Sequence, residues 1–516
     1  MAEEKNTVNK TLTKRQKKNR RNLILSVILL VALIAIAVLV KTVFVEEGEN
    51  TDVTQSYSVM DMSADKVAKI EIHNSYGNLA FRYDAEKEIW YENEDADFPV
   101  EQNILTQLAT KVEDITSTKR IETSDERLNE YGISDSDLTV TFYDKNNRKE
   151  TFYLGKYNSV TGAYYLYNTA KNYIYTVDNT FSTIFDMDLY SFAEVDTFPK
   201  LDSTSFVSVE KSTGDNAYYL EYIKEGIKDN MMDSMTWYFG KPFGEMHACI
   251  ESKTTDLFER FVSLSFDKLA DYHASDDELA NYGLDNPEKL YFYYLTSSGK
   301  NEEGEETYNS HILELNVGSE DESDSYYYVS YAIITNGLVS VNNQKVSLMQ
   351  KTYLDWLLSL DPFDYVYTNI FYAELQNMDS IDVTFEGKTY NYTIERDKTK
   401  TEIASNGKET LAIDAFKFFD SAKEEISSEN FRAAYQELVS LKGLEILSEE
   451  RVKDGDAEIS WIIKQEKTLD VITVELIPFN ASSYQVRVNG ISDYLVSKQE
   501  AIDAVESFLS LTGARN

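Results

Sequence analysis

The residues able to do metal or acid-base chemistry are few. The chain has four histidines, His73, His247, His273 and His311, and one cysteine, Cys249. A zinc site needs three or four such ligands converging, and none of these imidazoles stands in a His-Glu-x-x-His arrangement or at a spacing that sets two on one helical face. His247 and Cys249 could in principle form a base and a nucleophile. They are expected to point apart, with Cys249 a small buried residue. The acidic runs Glu320-Asp321-Glu322-Ser323-Asp324 and Asp454-Gly455-Asp456 offer oxygen ligands, but neither has the glycine and distal glutamate of a calcium loop, and solvated hairpin turns account for them better. No Gly-x-Ser-x-Gly elbow, phosphate loop or Gly-x-Gly-x-x-Gly turn occurs. The expectation is a non-enzymatic protein with no catalytic, cofactor-binding or metal-ligating residues. If ATP drives its system, another subunit binds it.

Aromatic side chains offer a different chemistry. Exposed Tyr and Trp stack on sugar rings, and the chain holds 37 Tyr and 4 Trp. Binding of cell-wall glycan is therefore the alternative function. Against it, Tyr164 to Tyr167 and Tyr326 to Tyr328 fall in strand-like pairs where cross-strand packing accounts for the rings.

The elements that must position these residues follow from composition and pattern. At 516 residues the chain exceeds one hydrophobic core, and 42% hydrophobic residues with 6 Pro and 20 Gly imply several folded, strand-rich units. A single cysteine leaves no intramolecular disulfide, so an exported fold must be held by packing. The net charge is -39. Residues 1–22 carry eight Lys and Arg against Glu3 and Glu4, a net of +6, so the rest carries -45. Such a body repels phosphate backbones and anionic lipid headgroups, which excludes nucleic acid as an expected partner.

Residues 23–40 read LILSVILLVALIAIAVLV, preceded by Lys14, Arg15, Lys17, Lys18, Arg20 and Arg21 and followed by Glu46, Glu47 and Glu49. An apolar run of this length, basic on its amino-terminal side, predicts a single-pass anchor with the amino terminus cytoplasmic and the bulk extracytoplasmic. A cleaved signal peptide fits less well, because the run is long and Val-Phe-Val-Glu-Glu follows it.

Beyond the anchor the chain repeats. Ser124-Asp125, Leu128 and Asn129-Glu130-Tyr131-Gly132-Ile133-Ser134 return 151 residues later as Ser275-Asp276, Leu279 and Ala280-Asn281-Tyr282-Gly283-Leu284-Asp285. Upstream, Trp90-Tyr91 with Pro99 is answered by Trp237-Tyr238 with Pro242, each followed by a helix-like stretch, 100–115 and 254–269. Downstream, strand-like 139–143 and 290–294 precede Tyr153-Leu154-Gly155 and Asn316-Val317-Gly318. The second copy is twelve residues longer around 297–307, in an expected surface hairpin loop. The Tyr-Gly glycine is predicted to close a short helix at positive φ, a packing role. The carboxy-terminal third has strand-like 380–385 and 389–395, helix-like 413–425, strand-like 459–464, 471–477 and 484–488, and helix-like 498–511, without Tyr-Gly. The expected fold class is α+β: an N-terminal transmembrane helix followed by tandem β-rich α+β repeat units. The expected divisions are 1–22 basic cytoplasmic tail, 23–45 anchor, 46–58 linker, 59–195 first unit, 196–362 second unit and 363–516 a diverged third unit.

The early Trp, the Pro-then-helix segment, the turn Tyr282-Gly283-Leu284-Asp285-Asn286-Pro287 and the Leu-Gly strand followed by Tyr-Tyr together resemble the bacterial domain-of-unknown-function 4340 family, over roughly residues 60–360. The first copy departs from that turn, with Ile133-Ser134 and no Pro. The resemblance implies an accessory role beside the permease and ATPase subunits of an ABC transporter of the gliding-motility type, and it carries no established catalytic residues. The expected function is a membrane-anchored, extracytoplasmic accessory or binding component of an ABC-type export complex.

Overall fold

The computed structural model describes residues 56–214, 216–227, 235–341, 344–403, 409–466 and 471–511. The expected anchor at 23–45 and its flanks lie outside the described residues. Among those described, no helix is long and apolar enough to cross a membrane.

The first sheet begins with a meander of β1 (Val67–Asn74), β2 (Gly77–Asp84) and β3 (Ile89–Glu92). Helix α1 (Gln102–Glu113) then carries the chain across to an edge strand, β4 (Arg120–Glu122), and α2 (Asp125–Glu130) returns it. A second meander follows as β5 (Leu138–Asp144), β6 (Lys149–Asn158), β7 (Ala163–Asn168) and β8 (Tyr173–Val177), closed by α3 (Thr180–Phe185). The strand order is β3-β2-β1-β5-β6-β7-β8-β4, antiparallel wherever strands pair.

The second sheet uses β9 (Phe206–Lys211), β10 (Tyr218–Tyr222), β11 (Trp237–Lys241), β12 (His247–Ala248), α4 (Glu251–Thr254), α5 (Leu257–Val262), β13 (Lys268–Asp271) and α6 (Asp276–Asn281). It continues through β14 (Glu288–Lys300), β15 (Glu306–Glu320), β16 (Tyr326–Thr335), β17 (Leu338–Val341), β18 (Val346–Gln350), α7 (Lys351–Leu358) and α8 (Pro362–Tyr365). Its order is β12-β11-β10-β9-β14-β15-β16-β18-β13, with β17 beside β16. The third sheet uses β19 (Met378–Phe385), β20 (Lys388–Arg396), β21 (Phe416–Phe419), β22 (Glu425–Ile426), α9 (Ser428–Val439), β23 (Glu445–Ile446), β24 (Ile459–Gln465), β25 (Ile472–Pro478), β26 (Ser483–Val488), β27 (Ile491–Ser497) and α10 (Lys498–Ser510). Its order is β22-β21-β20-β19-β24-β25-β26-β27-β23. All three sheets thus share one design. The first strand of the leading meander lies beside the first strand of the second, and the strand reached by the crossover helix closes the far edge.

Strands hold 43% of the described residues and helices 21%, which corrects the α+β expectation to a mainly β architecture. The transmembrane helix of that expectation has no place in the described architecture. The physical reason for the strand excess is length. The longest described helix is α10 at 13 residues, whereas β15 runs for 15. In β14 the run from Leu290 to Tyr294 alternates buried and partly buried positions along extended backbone, and the helices cover sheet faces. Helix α1, for example, turns Leu105, Leu108, Ala109 and Val112 onto Ile70, Ile72, Phe81 and Val140.

Two further expectations are corrected. Residues 413–425 are not helical. They form a single 3₁₀ turn, β21 and the start of β22, because Phe416 and Phe418 both face the core at period two. The helix comes immediately after, as α9, capped by the Ser427 hydroxyl, which accepts from the Asn430 N–H at 3.5 Å. The stretch 254–269 divides into the end of α4, α5 and β13.

The twelve extra residues of the second copy lengthen the β14–β15 hairpin. Its last partner on the β9 side is Tyr294, and on the β16 side His311 pairs Thr335. Beyond these the two strands run on alone to Lys300 opposite Glu306, a projecting ribbon. At its root β17 exposes Leu338 and Val339, 76% and 70% accessible.

Candidate functional site

The Tyr-Gly motif lies at the end of α2 and of α6. The Tyr131 carbonyl accepts the Lys156 N–H at 2.8 Å, and the Tyr282 carbonyl accepts the Ser319 N–H at the same distance. A Cβ at Gly155 or Gly318 would collide with that carbonyl oxygen, so the Leu-Gly and Val-Gly glycines let the strand approach the turn. Gly132 and Gly283 take φ of 71° and 69°. The tyrosine rings pack on the following strand, Tyr131 on Tyr165 at 4.2 Å and Tyr282 on Tyr328 at 4.9 Å. The motif is a staple between turn and sheet, and its groups are consumed in packing.

The remaining sequence candidates are separated by the fold. Cys249 is buried and forms a bridge with Val366, and burial pushes its thiol up, away from the nucleophilic thiolate. Residues two apart on a regular strand share a face. His247 and Cys249 part because β12 ends at Ala248, so that Cys249 enters the core while His247 faces the third sheet. His73 binds Asn78 at 2.7 Å, and His311 lies between Thr296 and Thr335. In the run 320–324, Asp321 accepts the backbone N–H groups of Ser325 and Tyr326, and Lys351 bridges Glu320 and Asp324 at 2.6 and 2.9 Å. That geometry is a tied hairpin turn. Tyr153 stacks on Tyr167 and Tyr157 packs on Tyr164, as cross-strand pairs do.

One polar cluster was not foreseen. The turn between β11 and β12 meets β27, bringing Glu245 and His247 of the second sheet to Asp493 and Tyr494 of the third. The Gly244 N–H donates to Asp493 Oδ1 at 2.6 Å, and His247 Nε2 lies 2.8 Å from Asp493 Oδ2. Tyr494 Oη lies 3.2 Å from His247 Nδ1. A neutral imidazole with its proton on Nε2 satisfies both contacts, donating to Asp493 and accepting from Tyr494. Glu245 is exposed at the rim but its carboxyl turns inward. Burial raises its pKa, His247 opposes that rise and Asp493 adds to it.

Glu245, His247 and Asp493 each place one ligand atom within 4.8 Å of the others, the geometry of a small cation site. Both Asp493 oxygens are already hydrogen-bonded, however, so a metal would have to break the contacts that join the sheets. The adjoining cavity is about 20 Å³, room for one water and for no substrate. What this arrangement can do chemically is clamp two sheets together. The cluster escaped the sequence reading because His247 and Asp493 are 246 residues apart, so no local spacing marks them.

The opposite edge of the second sheet, at β13 and β18, meets the first sheet. Tyr272, just after β13, hydrogen-bonds Asp95 and packs its ring edge-on to Phe98 at 5.5 Å. Lys345 holds Asp196 at 3.0 Å. Tyr190, half-buried near the carboxylates Asp271, Glu278, Asp95 and Asp188, has its pKa pushed up to about 12, chiefly by desolvation.

Residues 90–287 match the model of a domain of unknown function, DUF4340. Over this stretch, less than half of its length, the chain is similar to the DUF4340 family. The match runs from Trp90 on β3 to Pro287 ahead of β14, and so takes in both Tyr-Gly turns. Within the matched stretch those turns close helices against the sheet. No curated protein and no solved structure matches the chain.

Proposed function

We propose that this protein is an extracytoplasmic, non-enzymatic accessory component of a membrane complex, of the ABC-type exporter class, acting through protein–protein contact. The observation that carries this reading is the projecting β14–β15 ribbon, with Leu338, Val339 and the half-exposed Tyr308 beside it on an otherwise acidic body. Exposed apolar residues gathered on a protruding sheet margin suit a partner surface. The tied Tyr-Gly staple and the closed seam cluster support the non-enzymatic part. The membrane side of the reading rests on the basic-then-apolar order of residues 14–45.

Glycan binding is the second reading, favoured by exposed Tyr76 and Tyr157. It is weaker because Tyr157 packs on Tyr164, and Tyr153 and Tyr167 stack on one another, as cross-strand pairs. Affinity purification of the tagged full-length protein from detergent-solubilised cells, with residues 1–58 alone as control, tests the proposal. Recovery of a permease and an ATPase with the full-length protein only is the expected result. Retention of wall fragments without them overturns it in favour of glycan binding.

A further inference from the structure

At the projecting end of the second sheet, β14, β15, β16 and β17 form a small sheet of their own with an outer face turned away from the core. Leu313 and Leu315 point into the core, so Tyr308, Ser310 and Ile312, at alternate positions of β15, lie on the outer face. Across that face Tyr293 stands opposite Ile312, Ile312 opposite Ile334, and Ile334 opposite Val339. Leu295 stands opposite Ser310, and Ser297 opposite Tyr308. Val339 is 70% accessible and Tyr308 48%.

The fold does not require this apolar row. The third sheet has the same hairpin, turning at Asn489-Gly490 with φ of 49° and 92°, where β16 and β17 turn at Asn336-Gly337 with 49° and 83°. Two residues before that turn, Arg487 stands opposite Glu475 and meets it at 3.5 Å as an ion pair. The second sheet places Ile334 opposite Ile312 at the same two positions. Charge is missing from the surrounding strands as well. Residues 290–299, 307–313 and 325–344 hold no Asp, Glu, Lys or Arg, in a chain that is 27% charged. Neighbouring loops do not reach the row. Residues 342–343 only join Val341 to Gln344. Residues 228–234 begin and end beside the Tyr238 hydroxyl on β11, which bonds Ile227 and Met235. Strand β16 lies five strand spacings from β11, about 24 Å, whereas seven residues that return to their starting point reach about 14 Å.

We infer that this outer face is where two copies of the chain meet, packed face to face about a two-fold axis so that the Ile312, Ile334 and Val339 row of each covers that of the other. A chain of net charge -39 repels its own kind, over a Debye length of about 8 Å at physiological salt, and a contact free of charge is where that repulsion is least. The surface that fits the row is itself apolar and uncharged, and a second copy carries one by identity. At roughly 19 Å across four strands and about 16 Å along them, the face presents about 300 Å² on each copy, the scale of a weak interface. A shared membrane anchor supplies the local concentration that a weak pair needs. Resting on the proposed function for that anchor, the pairing names the partner at this face.

Cysteine cross-linking of the full chain in native membranes tests it. The sole natural cysteine, Cys249, is buried, so an introduced thiol is the reactive one. Ser310→Cys, on the outer face, should give a disulfide-linked dimer on mild oxidation, in clear excess over Thr296→Cys on the opposite face. Adding Tyr308→Glu and Val339→Glu, at two exposed positions, should cut that dimer about tenfold at an unchanged melting temperature, since each carboxylate enters an apolar contact. For the purified full chain in mild detergent, sedimentation should show more dimer as salt rises from about 0.05 to about 0.5 M, because screening relieves the repulsion. Equal yields from the two faces, indifference to the two glutamates, or loss of dimer as salt rises overturns the inference. Linkage of Ser310→Cys to a different polypeptide overturns it in favour of that partner. A thiol there that neither links nor reacts with maleimide also overturns it, by making residues 1–55 of the same chain the occupant. If no dimer forms while the permease and ATPase are still recovered, the pairing falls and the proposed function stands. If the dimer forms but neither subunit is recovered, the pairing stands without that function.

Discussion

Glu150 has no solvent contact, yet its carboxylate is fully occupied. It accepts the N–H groups of Asp61 and Met62 at 2.6 Å each and the Asn168 side-chain amide, which also donates to the Val59 carbonyl. A buried carboxylate survives only with such partners, and here they tie the incoming chain at 59–62 to the sheet. Glu150→Ala strands two buried N–H groups and an amide, so a loss of about 3 kcal/mol in denaturant-measured stability is expected. Glu245 shows the opposite sign. Its folded pKa lies above its ordinary 4.5, so the folded state holds a proton that the unfolded chain has lost. Its contribution is therefore favourable at low pH, falls as pH rises from that ordinary value through the raised one, and remains unfavourable above it. Glu245→Gln should flatten this limb of a melting temperature against pH profile and raise the melting temperature at pH 7. A variant that follows the native profile would remove Glu245 from the seam.

At the scale of elements, the Tyr-Gly and Leu-Gly pairs act as one device, since the glycine of one copy's strand faces the tyrosine carbonyl of its own turn. Gly155→Ala and Gly318→Ala should each cost about 1 to 3 kcal/mol by overpacking, while Gly387→Ala, in an open hairpin turn with φ of 74°, is limited to the cost of its backbone conformation. Chemical denaturation of the three variants checks the order. The repetition of Tyr131-Gly132 at Tyr282-Gly283 was visible in sequence because both copies need the same close approach. Most strands were visible too, since period-two burial marks them directly. Helix α9 was misplaced although its signal was present. Phe431, Ala434, Tyr435 and Leu438 follow helical spacing after the Ser427 cap. The preceding Phe-Lys-Phe-Phe drew the apolar pattern forward, and its pairing with β20, from Phe416 opposite Arg396 to Phe419 opposite Thr393, fixes it as strand.

Across the whole molecule the cores are unequal. The first sheet has its own, joined from the second by Leu269 and the partly buried Tyr272, whereas the second and third sheets share one continuous cluster that runs through Val366, Ile370 and Phe371. Calorimetry should therefore resolve two transitions, one for the first sheet and one for the fused pair. Asp493→Ala, which leaves His247 and the Gly244 N–H without their partner, should lower only the second, by about 2 to 3 kcal/mol. A shift of both transitions, or one merged transition in the native protein, would refute this division. Neither the shared core nor its clamp was legible beforehand, because sequence periodicity reports which face of an element is apolar and not which distant element covers it.

The β14–β15 ribbon carries a practical corollary. From Leu295 to Lys300 it extends roughly 20 Å past its neighbours at about 3.3 Å per residue, and its tip, Asn301 to Glu305, is closed by bonds within the tip itself. An epitope or fluorophore spliced in between Glu302 and Glu303 would leave every sheet hydrogen bond intact. The protein thus brings its own flagpole, from which its neighbours in a living cell can be mapped by proximity labelling without touching the body that binds them.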